Sequence, residues 1–178
     1  LEMLCRSLHD EANLHWFGKM NYSNLIVTGL AELLLLNETF RKQPELEQQK
    51  LNAPIFVTGM PRSGTTFSHR LLSAPQQTTS LALYQHMFPI GRKFPSPKLE
   101  TEMLFFYWKK ASKRYGMDAI HYVRPNLADE CNIGMRLVMH SMIYWSITPT
   151  YSYLSWFLDQ DMRESYKIYC RVLQLQQS

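Results

Sequence analysis

Residues 59–66 read GMPRSGTT, directly after the apolar run PIFV and before the helix-like stretch FSHRLL. Gly59 and Gly64 stand five apart, the separation found in nucleotide loops, where glycines let successive backbone N–H groups face one concavity around a phosphate. A helix opening at that point adds first-turn amides with no partner inside the helix, and an anion there also gains from the dipole. The lysine of the usual loop is missing. Thr65 occupies its place, Thr66 takes the Ser/Thr position, and Arg62 brings the cation inside the loop. A guanidinium can fork onto two oxygens, and Ser63, Thr65 and Thr66 add hydroxyl donors without requiring a metal to organise them. Such a loop suits a compact tetrahedral anion carried on a nucleotide.

PIFVTGMPRSGTTFSHRLL resembles the phosphosulfate loop, P-[RK]-S-G-T-T, of sulfotransferases that use 3′-phosphoadenosine-5′-phosphosulfate (PAPS). Its PRSGTT form is similar to the branch containing protein-tyrosine sulfotransferases and bacterial and marine homologues. The similarity runs weakly through LALYQHMFPIG, more clearly through NLADECNIGM and into YKIYCRVLQL, and so covers roughly residues 50–178. The resemblance implies that Pro61, Arg62, Ser63, Gly64, Thr65 and Thr66 bind the 5′-phosphosulfate. It also gives Arg62 the charge that builds on the bridging oxygen as the sulfuryl group leaves. Sulfuryl transfer, like phosphoryl transfer, displaces a tetrahedral centre in line and spreads charge over peripheral oxygens, so fixed donors and a cation supply most of the stabilisation. The family further implies an arginine and a serine, after a later strand, on the 3′-phosphate; residues 1–178 offer no such element.

An acceptor hydroxyl must lose its proton to a base within hydrogen-bond reach. Relatives in this branch carry a glutamate after an aromatic residue in the stretch matching LALYQHMFP, where this chain has Tyr84, Gln85 and His86. Gln85 accepts no proton at neutral pH. His86 is the nearest titratable substitute, because an imidazole titrates near ~6.5; its alternative is packing beside Met87 and Phe88. Glu130 is the second candidate, and its alternative is a helix-start acid. His69, His121 and His140 are assigned no chemistry, and neither histidines nor carboxylates show metal-ligand spacing.

The elements that must position these groups follow from periodicity. Leu1, Leu4, Leu8 and Ala12 predict a helix up to about Phe17, and a second, buried one follows from about Asn24 to Asn37. RKQPELEQQKLN reads as a linker or short exposed helix, and Pro54–Thr58 as a central strand covered on both faces. A helix over Thr66–Ser73 comes next, then an irregular connection from Ala74 to Pro97 with a short extended piece at Leu81–Leu83. Ser96 is placed to cap a helix beginning at Pro97 and ending in Lys109, Lys110, Lys113 and Arg114 before Gly116. Asn126 is placed to cap another that carries Cys131, Met135, Val138, Met139 and Met142 inward, and Asp161 begins a last one. The aromatics Tyr144, Trp145, Tyr151, Tyr153, Trp156 and Phe157 read as core, with an acceptor cleft as the alternative.

With 178 residues, 46% hydrophobic and 19% charged, the composition excludes disorder. A net charge of +4 favours anionic ligands without the concentrated basic stripe of a nucleic-acid binder. Three cysteines without short spacing suggest neither a disulfide framework nor zinc, which makes a reducing compartment the simpler reading. LIVTGLAELLLL falls short of the ~20 residues of a membrane span. A cytoplasmic location is favoured, with the Golgi as the alternative should an anchor precede Leu1. The expected fold is α/β: a P-loop nucleotide-hydrolase-like three-layer fold with a parallel sheet, here a helix-rich N-terminal fragment whose sheet is incomplete. Residues 1–50 form a helical preface, and 51–178 the first part of a sulfotransferase domain truncated at its C-terminus. The expected activity moves a sulfuryl group from PAPS, without a metal, to a hydroxyl, or as second choice an amine, of a small-molecule, carbohydrate or peptide acceptor. Its alternatives are an ATP/Mg²⁺-dependent P-loop kinase or NTPase, which predicts a lysine after Gly64, and an inactive nucleotide-binding relative, which Gln85 supports.

Overall fold

The computed structural model describes residues 1–60, 63–91, 96–114 and 123–177, without the side chains of 104, 107–112 and 114. The expected basic cluster of Lys109, Lys110, Arg114 and Gly116 therefore falls outside it, except for Lys113, which is exposed. His121 lies outside as well. The chain divides into two compact units, one of residues 1–49 and 131–178 and one of residues 50–130.

In the first unit, α1 (Glu2–Asp10) and α2 (Trp16–Lys42) are followed by a 3-10 turn over Pro44–Gln48. After residue 130 come α6 (Cys131–Met135), a 3-10 turn over Arg136–Val138, α7 (Ile143–Ile147), α8 (Tyr151–Leu158) and α9 (Arg163–Gln177). Helix α2 packs on the second 3-10 turn, α1 on α8, and α6 on α9. At Gly29 the approach is close: a Cβ there would stand 2.9 Å from Nη1 of Arg136, which is fully buried and donates to the Leu25 carbonyl.

Three tyrosine hydroxyls make polar bonds inside this core. Tyr22, Tyr144 and Tyr153 are buried together with Leu4 and Met139. A buried hydroxyl without a partner is costly, and each of these has one. Tyr22 donates to the Tyr144 carbonyl at 2.5 Å and Tyr144 to the Arg136 carbonyl at 3.1 Å. The Tyr153 hydroxyl lies 2.9 Å from the Met139 carbonyl and 3.0 Å from that of Ser141, and it accepts from the Ser141 amide at 3.0 Å. Burial pushes the Tyr153 phenol up to about 12. At the start of α8, Glu11 takes the cap role from a distant helix. Its carboxylate accepts from the Ser152 amide at 3.1 and 3.2 Å, and the Ser152 hydroxyl, together with that amide, holds its pKa below the usual carboxylate value.

The second unit contains α3 (Thr65–Leu72), α4 (Leu83–Met87) and α5 (Pro97–Arg114), with α4 packed on α5. Ser96 caps α5 as expected, its Oγ accepting from the Leu99 amide at 3.3 Å. Among the described residues no strand ladder forms; one antiparallel bridge joins Ala82 to Ala128. The expected strand at Pro54–Thr58 is therefore corrected. A strand exists only through ladder partners, and this segment meets none among the described residues, leaving Ile55 64% and Phe56 80% exposed. The expected helix from Asn126 is also corrected: it begins only at Cys131 and gives way to a 3-10 turn before Met139, whose φ is +58°. Residues 125–129 are engaged differently. The Pro125 and Leu127 carbonyls accept from Tyr84 and Leu83 at 3.0 Å each, and the Asp129 amide donates to Leu81 at 3.3 Å.

The second predicted helix is longer than expected and only one of its sides is buried. The aromatic segment read as core forms α7 and α8, in which Tyr144 and Tyr153 are buried but Tyr151 is 65% exposed. Tyr153→Phe removes one hydroxyl and leaves three buried backbone groups without it. Urea denaturation is expected to show a loss of about 2 kcal/mol, with unchanged secondary structure by circular dichroism.

Candidate functional site

The loop before α3 is curled tightly. A Cβ at Gly59 would stand 2.8 Å from Ser63 Oγ and 3.1 Å from Thr65 Cγ2, so no larger residue fits without moving the loop hydroxyl. The Ser63 amide donates to the Met60 carbonyl at 3.2 Å, closing a turn. Gly64 then adopts φ +89°, a left-handed conformation natural to glycine, and serves as N-cap of α3 without a side-chain cap. The Ser68 amide returns to the Gly64 carbonyl at 3.0 Å. The amides of Thr65, Thr66 and Phe67 precede the first possible helix bond, so α3 itself leaves them unanswered. Ser63 and Gly64 are exposed, and Thr65 and Thr66 are half-buried. Four of the six residues expected to bind the anion are thus gathered at one helix start. The other two, Pro61 and Arg62, lie outside the described residues.

The second set of candidates surrounds α4. Gln85 spans the first turn: its Oε1 accepts from the Ala82 amide at 2.8 Å. The glutamine standing where relatives carry a glutamate thus answers the N-cap amide, one half of the reciprocal pair that a Ser or Thr N-cap would complete. His86 is 2% exposed. Burial pushes its imidazole down to about 4; a hydrogen bond to the Asp129 backbone opposes this, and the nearby charge of His69 on α3 adds to it. His69, given no role by the sequence, is therefore within electrostatic reach of His86. Glu130 is exposed, and its amide donates to Asp129 Oδ1 at 2.8 Å.

Among the described residues no group of three or more His, Cys, Asp or Glu side chains is placed to hold a metal ion, and no helix is long and apolar enough to cross a membrane. A cavity of about 220 Å³ belongs to the other unit, lined by residues that include Arg6, Ser7, Asp10 and Glu11. Glu11 and Ser7 are already engaged there in capping α8.

His86 makes stability depend on pH. Its folded pKa lies below the unfolded value, so the unfolded chain binds more protons between about 6.5 and 4. The stabilisation is complete above 6.5 and is lost as pH falls toward 4. The direction for His140, also lowered by burial, is the same. Urea midpoints should fall between pH 7 and 5 by the equivalent of about 2 kcal/mol. His86→Gln, which keeps a donor but does not titrate, should flatten most of that slope.

The model of the sulfotransferase family matches residues 54–169. No curated protein matches. Among solved structures, the sulfotransferase STF1 from Mycobacterium tuberculosis H37Rv is 27% identical, with a TM-score of 0.73 over 97% of this chain and 48% of that one. The sulfotransferase STF9 from Mycobacterium avium is 23% identical and shares the fold, with a TM-score of 0.80 over 98% of this chain and 46% of that one. The chain thus spans about half the length of both structures. With a family match extending over residues 54–169, more than half of its length, the chain belongs to the sulfotransferase family.

Proposed function

We propose that this chain carries the donor-binding part of a PAPS-dependent sulfotransferase that moves a sulfuryl group to an acceptor hydroxyl, or as second choice an amine. The PRSGTT sequence favours the branch that includes the protein-tyrosine sulfotransferases. The observation that carries this reading is the close approach of Gly59 to Ser63 and Thr65, with a left-handed glycine at 64 delivering the chain into α3. The residues fit the group: a side chain at Gly59 would collide with the hydroxyl of Ser63, and the helix start offers amides and threonine hydroxyls to a tetrahedral anion. PAPS supplies an activated sulfuryl group joined to phosphate through one bridging oxygen. The chain's residues do the rest. Ser63, Thr65, Thr66 and the α3 amides hold the anion, and Arg62 offsets charge on the bridging oxygen as its bond to sulfur breaks and the acceptor's bond to sulfur forms.

The acceptor's proton goes to a base. Of the two candidates, Glu130 is exposed, whereas His86 would have to accept a charge inside an apolar interior that already pushes its pKa down to about 4. We therefore assign the base role to Glu130, and to His86 that of an internal strut holding Asp129, next to Glu130, against α4. Small-molecule, carbohydrate and peptide hydroxyls all meet the chemical requirement, and no step calls for a metal. A Mg²⁺-dependent triphosphate enzyme would need a lysine after Gly64, where Thr65 stands. An inactive nucleotide-binding relative is the remaining alternative, favoured by Gln85 being committed to the Ala82 amide.

Titration with PAPS, with its desulfated product, or with ATP and Mg²⁺ separates these readings by thermal shift, because a ligand bound only by the folded chain raises Tm. The first two should raise Tm and the third should not. Gly59→Val should weaken nucleotide binding at least tenfold without lowering the Tm of the unliganded chain, since Gly59 is exposed. Labelled sulfate transferred from PAPS to a panel of acceptors tests the chemistry: binding without turnover favours the inactive relative, and an ATP/Mg²⁺ shift alone overturns the proposal.

A further inference from the structure

Helix α2 is 27 residues long, and its inner side buries Tyr22, Gly29, Glu32, Leu36 and Phe40. The outer side is apolar too. Trp16, Met20, Val27 and Leu34 are 76%, 53%, 62% and 70% exposed. At 3.6 residues per turn the four fall within about 40° of one another around the axis, and from Trp16 to Leu34 they run about 27 Å along it. Single exposed apolar residues are ordinary on a protein surface, whereas an aligned row marks an interaction site. Met20, Val27 and Leu34 also repeat every seven residues, the period of a helix that pairs with another helix.

We infer that this stripe is a dimer surface on which α2 packs antiparallel against α2 of a second copy, with the two-fold axis at Val27. The case for a second copy is that the stripe complements itself, as an isologous interface requires. Residues equidistant from Val27 meet across the axis. Met20 falls against Leu34 of the second copy, and Leu34 against its Met20. Ser23 falls against Ala31, and these small residues on either side of Val27 let the two helices approach closely. Trp16 falls beside Glu38 and Arg41, whose guanidinium is held by Glu38 at 2.7 Å while its side chain remains 70% exposed. A planar cation fixed in this way is a good partner for an indole face.

A lipid-surface helix would flank such a stripe with cations. Helix α2 carries Lys19 near one end and Arg41 and Lys42 at the other, the last two paired with Glu38, while Asn24 and Asn37 flank the stripe between them. Two stripes of this length bury on the order of 1,000 Å² in total, the lower limit for specific association, so a reversible dimer of micromolar strength is expected.

Sedimentation velocity of the chain from about 1 to 100 μM tests this, with Val27→Glu and Leu34→Glu as disrupting variants and Leu158→Glu, at an exposed apolar residue of α8, as control. The native chain and the control should shift from monomer to dimer across that range. The two α2 variants should need at least tenfold more protein to do so, with an unchanged Tm showing that they are folded. A native chain that stays monomeric at 100 μM overturns the inference, as does a dimer indifferent to Val27→Glu. Adding vesicles of anionic phospholipid gives a further arm: a monomer that binds them through Val27 would make the stripe a membrane surface and overturn the dimer. None of these readings involves nucleotide, so failure here and failure of the sulfotransferase proposal are separate results.

Discussion

A hydroxyl taken out of water must be answered, and that constraint orders the core of residues 1–49 and 131–178: Tyr22 bonds across the two segments, while Tyr144 and Tyr153 bond within the second. Tyr22, Tyr144 and Tyr153 lie 7%, 0% and 0% exposed, and their hydroxyls reach backbone groups of residues 136, 139, 141 and 144. Apolar contact alone would bury these rings in many registers. The hydroxyl bonds select one, because a shift by a single residue would leave both phenol and carbonyl unpaired. Gly29, which leaves room for the Arg136 guanidinium, belongs to the same arrangement.

In the unit of residues 50–130, a backbone exchange does comparable work. The bonds between residues 81–84 and 125–129 hold α4 against the segment that leads to Glu130, and the neutral His86 ring locks that junction from inside. A protonated imidazole would be a buried charge, so the same burial that makes His86 a poor proton acceptor makes it a good strut. The entry into α3 relies on something simpler: the lack of a side chain at Gly59 and the left-handed turn at Gly64.

The turn into α3 was legible in the sequence because its signals are local: Gly64 stands immediately before the helix that it caps. Glycine spacing, hydroxyls and the start of α3 lie within eight residues, and no distant partner alters what those types do. The caps at Ser96 and Asp161 were legible for the same reason, each accepting an amide close by in the chain. Gln85 carried a local signal as well, standing three residues after Ala82, although its amide suggested lost catalysis before it suggested a cap.

Elsewhere the outcome rested on partners far away in sequence. Asn126 offered a cap, but bonds from Leu83 and Tyr84 took residues 125–127 out of the helix. Pro54–Thr58 has the composition of a central strand, yet composition cannot supply a ladder. Burial of His86, which determines whether it can carry a proton, comes from packing around α4 that no spacing encodes. Thus the sequence by itself displayed the glycine spacing and hydroxyls of residues 59–66 and the start of α3, because these are written in neighbouring residues. Only the tertiary structure decided which candidate base is buried and neutral, where the helix near Glu130 begins, and which face of α2 meets solvent, because burial and hydrogen-bond competition are properties of contacts between distant segments.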